Sequence, residues 1–257
     1  MAVTIKNDLV NSYPHDTNGI KILIDQFWHY ELDDTNNILT NKRLIDPRIE
    51  LWVNAIGHEG LSGMNILELG PHEGYMSRIL EEKGASSVTG IEGVTINYLK
   101  CLLVKEYYQL KKTKFLLGDI VKYLENNDDM YDCIFASGVL YHMLEPYHVL
   151  DLIMKKTNRI CICTTYYDDI FKFFVFTGEK KYIIKDGIQF TMHRQNYGAA
   201  QTQTAKWQGG INESSYLITK DDLIKYLELS GFKVDILQNI CNEKCVRIRI
   251  YAEKYTK

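Results

Sequence analysis

Proline is scarce, at four residues in 257, and no linker, internal repeat or low-complexity stretch interrupts the chain. That excludes a string of tethered modules and leaves one large domain. No apolar run approaches the roughly 18 residues needed to cross a bilayer, and the amino terminus lacks the basic, apolar and small-residue order of a signal peptide. The expected compartment is the cytoplasm, with no membrane partner. A net charge of −3, with 46% hydrophobic and 25% charged residues, matches an ordinary soluble globular chain. A basic stripe is missing too. Its longest candidate, Lys111, Lys112 and Lys114, precedes a predicted strand and reads as solvated turn lysines, which argues against a nucleic-acid partner. The six cysteines form no metal pattern. Cys133, Cys161 and Cys163 lie in apolar runs, where free cysteine behaves as a small buried hydrophobe. Cys241 and Cys245 bracket a turn with no histidine pair nearby, so no metal site is expected.

What is present is a repeat of short and long periodicities. From Asn65, β-branched runs alternate with amphipathic ones, the pattern of a mostly parallel sheet covered by helices on both faces. Strands are predicted near 65–70, 87–92, 114–118, 131–137 and 159–164. Gly74 to Lys83, Val94 to Tyr108 and Pro146 to Lys156 carry apolar residues at helical spacing. Thr219, followed by Asp221 and Asp222, marks the start of a last helix, and Gly231 closes "DLIKYLELSG". Beyond it, "FKVDIL" and "VRIRIYAEK" are joined by "QNICNEKC", too short for a parallel crossover, so they must pair antiparallel. The fold class expected is α/β, Rossmann-like, with five parallel strands and a C-terminal antiparallel hairpin making seven. Residues 1–60, with "IKILIDQFWHYEL" and "DPRIELWVNAIG" helical in period, form an expected N-terminal cap over or beside the sheet's carboxyl edge, and 61–257 the main domain. Residues 165–216 are an insertion after the fifth strand, long enough to be functional, and "KKYIIKDGIQFTMH" reads as a hairpin turning at Asp186-Gly187.

"ILELGPHEGY" is a buried strand running into a glycine turn, the kind of turn that lets a backbone approach a ligand at a helix N-terminus. A pyrophosphate normally wants three glycines. Here only Gly70 and Gly74 stand, with Pro71, His72 and Glu73 between them, and a carboxylate at Glu73 would repel that group. A cationic sulfonium beside a zwitterionic methionyl part suits Glu68 and Glu73 better. Glu92 and Gly93 end "VTGIEG" about 20 residues past the turn, where a carboxylate can accept hydrogen bonds from two ribose hydroxyls. "FLLGDI" puts Asp119 where it can accept an adenine amino group, with the Ile120 amide addressing a ring nitrogen. "YDCIFASGVLYHML" ends the fourth strand at Ser137-Gly138, the expected ligand crevice. Taken singly, Glu92 and Asp119 also read as helix-cap residues; their joint order is what points to a site.

With these segments the chain resembles the class I S-adenosylmethionine-dependent methyltransferases, specifically over residues 64–164 and elsewhere by architecture. The resemblance implies S-adenosyl-L-methionine as cofactor, with Glu68, Gly70 and Gly74 at its methionyl end, Glu92 at the ribose and Asp119 at the adenine. His72 departs from the pattern, since glycine is common there; its side chain is expected to point outward over the turn, or else to crowd the methionine as part of the cofactor site. "GVLYH" is similar to the segment after the same strand in enzymes that carboxymethylate a tRNA wobble uridine and in related small-molecule methyltransferases. The basic tRNA-holding positions of the wobble enzymes have no match here, so tRNA is the second choice.

The non-core pieces are expected to choose the substrate. Tyr141 and His142 follow the fourth strand where a transferred methyl group would emerge, with His142 as general base and Tyr141 as a positioning hydroxyl. His29 and His193 are alternative bases. Trp28, Tyr166 and Trp207 are candidate substrate contacts, with Trp207, ahead of Gly209-Gly210, as a lid. The aromatic insertion alternatively packs on the sheet or forms a homodimer face. The expectation is metal-free methyl transfer to an oxygen or nitrogen of a small molecule. Two alternatives stand beside it: a tRNA wobble-uridine modifying transferase, and a non-catalytic cofactor-binding partner subunit.

Overall fold

The computed structural model describes residues 47–57, 60–171, 176–196 and 212–255. Its main sheet has seven strands: β1 (Asn65–Leu69), β2 (Ser87–Glu92), β3 (Thr113–Leu117), β4 (Cys133–Ser137), β5 (Arg159–Thr165), β9 (Phe232–Asn242) and β10 (Cys245–Lys254). Their order is β3-β2-β1-β4-β5-β10-β9, with β1 to β5 parallel and β10 antiparallel to both neighbours. This is the Rossmann-like sheet expected. The order reverses between β1 and β4, which opens a crevice at their carboxyl ends.

Period-two alternation sends side chains to two cores. Ile66, Cys133, Phe135, Cys161, Cys163 and Tyr251 face helices α1 (Pro47–Ile56) and α2 (Tyr75–Glu82). The opposite positions, such as Leu67, Leu69, Ile134 and Ile162, pack with α4 (Ile120–Asn126), α5 (Pro146–Lys156) and α6 (Lys220–Leu229). A further helix, α3 (Thr95–Tyr107), follows β2. α1 lies against the sheet's face rather than its carboxyl edge: Trp52 meets Phe135 edge-on at 5.5 Å, and its indole Nε1 donates to the Ile250 carbonyl at 2.9 Å. The other cap segment, "IKILIDQFWHYEL", lies outside the described residues.

α6 starts where Thr219 accepts the Asp222 amide at 3.1 Å and ends just before Gly231, at φ 85. The C-terminal hairpin is tighter than its pattern suggested. Its strands extend through most of "QNICNEKC", leaving Glu243 and Lys244 as the turn. β9 is an outer strand, so water reaches much of it and polar side chains hide its alternation.

A second, three-stranded sheet follows β5: β6 (Phe176–Lys185), β7 (Ile188–Asn196) and β8 (Ser214–Ile218), all antiparallel. The expected hairpin is there, with Asp186 at φ 50 and Gly187 at φ 75 in its turn. β8 was not expected, because "SSYLI" reads as a lead-in to α6 and becomes a strand only by pairing with β7. No helix among the described residues is long and apolar enough to cross a membrane.

Candidate functional site

Four turns meet at the carboxyl ends of β1 to β4, and their conformations follow from short-range sterics. After β1, Gly70 and Gly74 adopt φ 64 and 78. A Cβ on Gly74 would lie 3.2 Å from the Cys101 Cα, and one on Gly70 would lie 3.1 Å from Val139 Cγ2. Both contacts are tighter than a Cβ usually makes, and both backbones are left-handed, so glycine is the residue that fits without strain. His72, between them, also takes a left-handed φ of 57, which explains why glycine is the easier residue there. Its ring does not point outward as expected. The residue is half-buried and its Nε2 is shielded from solvent.

Glu92 holds this turn to the next one. Its Oε2 accepts the His72 amide at 2.9 Å and its Oε1 accepts the Val94 amide at 2.8 Å, while the Gly93 amide and the Asn97 side chain add further donors. Burial nevertheless outweighs these donors and pushes Glu92 above the usual carboxylate range. Glu68 is buried and accepts the Ser77 hydroxyl. Glu73 departs from the sequence reading. It is buried in an ion pair with Lys100 of α3, Nζ to Oε1 at 2.6 Å, and so supports the turn from within. Burial first, and then Glu92, Glu68 and Glu73, raise the Cys101 thiol well above its ordinary value. Three carboxylates with one ammonium make the ground beneath the turn negative, a setting that fits a sulfonium cation.

Asp119 is the N-cap of α4, its Oδ1 accepting the Lys122 amide at 3.0 Å, and Ile120 is the first helical residue. Amides of a helix's first turn have no intrahelical acceptor and can donate to a ligand. β4 ends at Ser137, after which the Gly138 amide donates to the Cys163 carbonyl at 2.8 Å. A single 3-10 turn, Leu140–His142, follows, with the Tyr141 and His142 rings 4.0 Å apart. Burial pushes the His142 imidazole down to about 4, so it is neutral at neutral pH.

The second sheet is tied to this turn. The Tyr216 amide of β8 donates to the Met143 carbonyl at 2.9 Å, and Asn212 Nδ2 donates to the His142 carbonyl at 3.4 Å. At the end of β5, the Tyr167 amide donates to Ile218, and the Tyr167 ring lies flat on His193 with centroids 3.4 Å apart. Burial, and then the charge of Lys180, lower the His193 pKa. Tyr166 is buried and its hydroxyl donates to Asn239 of β9 at 3.0 Å, so it ties β5 to the outer hairpin instead of lining an open cleft. Its phenol is pushed up, chiefly by burial. Trp28, His29 and Trp207 lie outside the described residues.

The sequence reading missed Ser77, Lys100, Asn97, Tyr167 and Asn212. For Tyr167 a signal existed, since neighbouring tyrosines in an extended chain face opposite ways. For Lys100, 27 residues from Glu73, there was none. A cleft of about 500 Å³ opens elsewhere, between α5, α6 and β6, lined by residues including Tyr147, Asp151, Lys185 and Tyr226. None of the site residues chosen from sequence lines it. Among the described residues, no three His, Cys, Asp or Glu side chains gather as a metal site.

A family model described as "Methyltransferase domain" matches residues 42–236. Among curated proteins, the tRNA U34 carboxymethyltransferase of Ectopseudomonas mendocina (strain ymp) is 31% identical over 102 residues, covering 39% of this chain and 31% of that protein. The mitochondrial ubiquinone biosynthesis O-methyltransferase of Dictyostelium discoideum is 26% identical over 106 residues, covering 38% and 33%. The matched segment is therefore about a third of the length of these relatives. Among solved structures, the N-terminal domain of EvdMO1 in the presence of SAH and D-fucose gives a TM-score of 0.70 at 19% identity, over 95% of this chain and 100% of that one. Magnesium protoporphyrin IX methyltransferase from Synechocystis PCC 6803, with bound SAH, gives 0.54 at 14% identity, over 96% and 91%.

Proposed function

The chain belongs to the methyltransferase domain family and is an S-adenosyl-L-methionine-dependent methyltransferase; from that premise we propose that its acceptor is an oxygen or nitrogen of a small molecule. The observation that supports this reading is the second sheet bonded to the turn after β4, at Met143 and His142, where the crevice ends. When bound, the cofactor supplies an electrophilic methyl group. Glu68 and the Gly70–Gly74 turn hold its methionyl end, Glu92 and Gly93 its ribose, Asp119 and Ile120 its adenine, with Ser137 and Gly138 as the floor. Tyr141 orients the acceptor and His142 takes its proton, with His193 as the alternative base. The chain's part is to keep the reacting atoms in line and exclude water.

In this proposal residues 1–60 form a cap and 61–257 the catalytic domain, with 165–216 covering the substrate. Shortening the hairpin at Asp186-Gly187 then spares S-adenosylhomocysteine binding and abolishes turnover. A homodimer through β6 belongs to the same proposal, since Tyr182 and Ile184 are exposed on that outer strand. A monomeric mass in sedimentation velocity at all concentrations removes it. A cytoplasmic setting goes with it and is checked by fractionation.

The tRNA reading is kept because five of the relatives at hand besides the O-methyltransferase bear the tRNA U34 carboxymethyltransferase name in different bacteria. One experiment separates the readings. Calorimetry with S-adenosylhomocysteine is paired with radiolabelled methyl transfer to a metabolite pool and to bulk tRNA. Label in small molecules supports the proposal, label in tRNA replaces it, and cofactor binding with no transfer at all favours a non-catalytic subunit.

A further inference from the structure

The buried ion pair beneath the turn after β1 stands next to the start of a helix. Glu73 is 2% exposed and Lys100 7%, and the Lys100 Nζ lies 2.6 Å from Glu73 Oε1. Glu73 directly precedes Gly74, the N-cap of α2. Gly74 has no side chain to close that helix start, and amides of a helix's first turn are groups that take an anion. A released carboxylate at Glu73 would be drawn to the same positive end. The ion pair turns it toward α3 instead.

α3 is fastened to the turn on both sides of Lys100 in sequence. Cys101 Sγ donates to the His72 carbonyl at 3.3 Å, and Gly74 passes so close that a Cβ there would lie 3.2 Å from the Cys101 Cα. At the start of α3, the amide of its N-cap Val94 donates to Glu92, which also accepts the His72 amide. Turn and helix are thus held together, and Lys100 is kept at Glu73. The raised Cys101 thiol reports the field there, since Glu92, Glu68 and Glu73 act on it after burial. Lys100 is a cation placed among three carboxylates.

We propose that Lys100 is a positioning residue for the cofactor: by holding the Glu73 carboxylate away from the start of α2, it keeps that helix end open to the carboxylate of the cofactor's amino-acid part. This rests on the reading in which the Gly70–Gly74 turn holds the methionyl end. In this role Lys100 acts through Glu73 and touches no ligand. The consequence is selective, because like charges repel strongly in a site shielded from water. S-adenosylhomocysteine, which carries the amino-acid carboxylate, feels the loss of Lys100. 5′-Methylthioadenosine, with the same adenosine and sulfur but no carboxylate, does not.

The test is calorimetric titration of both ligands into wild type, Lys100→Met, Glu73→Gln and the double variant. Expected in Lys100→Met is a Kd for S-adenosylhomocysteine raised about tenfold or more, with that for 5′-methylthioadenosine within about twofold of wild type. Glu73→Gln and the double variant should bind S-adenosylhomocysteine within about threefold of wild type, because no carboxylate is left to release. Equal weakening of both ligands makes the pair merely structural and overturns the proposal. So does wild-type affinity in Lys100→Met, or a double variant as weak as the single. Should Lys100→Met not fold, the other two variants decide. S-adenosylhomocysteine affinity near wild type in both upholds the proposal, and its selective loss in either shows that Glu73 itself holds the ligand and overturns it. A wild type that binds neither ligand, or binds both alike, instead removes the premise that the turn holds the methionyl end, and the proposal with it.

Discussion

The two sheets bury different kinds of polar group. Around the turn after β1 the buried groups include three carboxylates that protein groups meet: Glu68 by Ser77, Glu73 by Lys100, and Glu92 by two backbone amides. On the face of the three-stranded sheet that carries His193, Gln195 and Ser215 they are an imidazole, an amide and a hydroxyl. The turn after β1 is held from beneath by charged groups.

The sharpest way to break this contrast is to remove a cradle partner. Lys100→Met leaves the Glu73 carboxylate buried without its ammonium and should cost about 3–5 kcal/mol in denaturant unfolding. The double variant with Glu73→Gln should recover most of it. A loss below about 1 kcal/mol in the single variant means that the pair does not hold the turn.

The next effect lies where the two regions meet. His142→Asn should lower kcat by about 100-fold or more with cofactor affinity intact. Because burial pushes His142 down to about 4, the wild-type rate should be flat through neutral pH and fall only as acid protonates the imidazole. An inflection near the ordinary histidine value of about 6.5 would assign the proton transfer to another group.

In the proposed cofactor placement, Glu92→Ala removes the acceptor for the ribose hydroxyls. A charge-assisted hydrogen bond is worth about 1.5–3 kcal/mol, so S-adenosylhomocysteine affinity should fall roughly 10- to 150-fold. Hydroxyl donors need the ionised carboxylate, and its pKa is raised by burial. Wild-type affinity should therefore weaken as pH falls through a point above the usual carboxylate range; a pH-independent affinity takes Glu92 out of the ribose contact. The smallest effect concerns His72. His72→Gly relieves a left-handed backbone worth about 1 kcal/mol and should raise stability by up to that amount. A net loss means that the half-buried ring does more for the turn than its backbone costs.

Much of the main sheet was legible because local patterns and global needs coincide there. β1 to β5, α2, α3 and α5 each carry a periodicity that decides which face is buried, and the short link before β10 left only antiparallel pairing. β8 was illegible for the opposite reason, since five residues with no strong alternation become a strand only when β7 is alongside. Tyr166 and Tyr167 are indistinguishable as letters, yet one hydroxyl reaches Asn239 while the other ring covers His193.

Sequence alone determined the α/β architecture, the glycine turn and the spacing of Glu92, Asp119 and Gly138, because strand period, turn sterics and chain length act within a few residues of each other. Tertiary structure alone decided that Glu73 pairs with Lys100, that the insertion becomes a three-stranded sheet seated on the turn after β4, and that Gln195 keeps a buried acceptor. Those depend on groups brought together from distant segments, and no pattern within either segment encodes the distance between them.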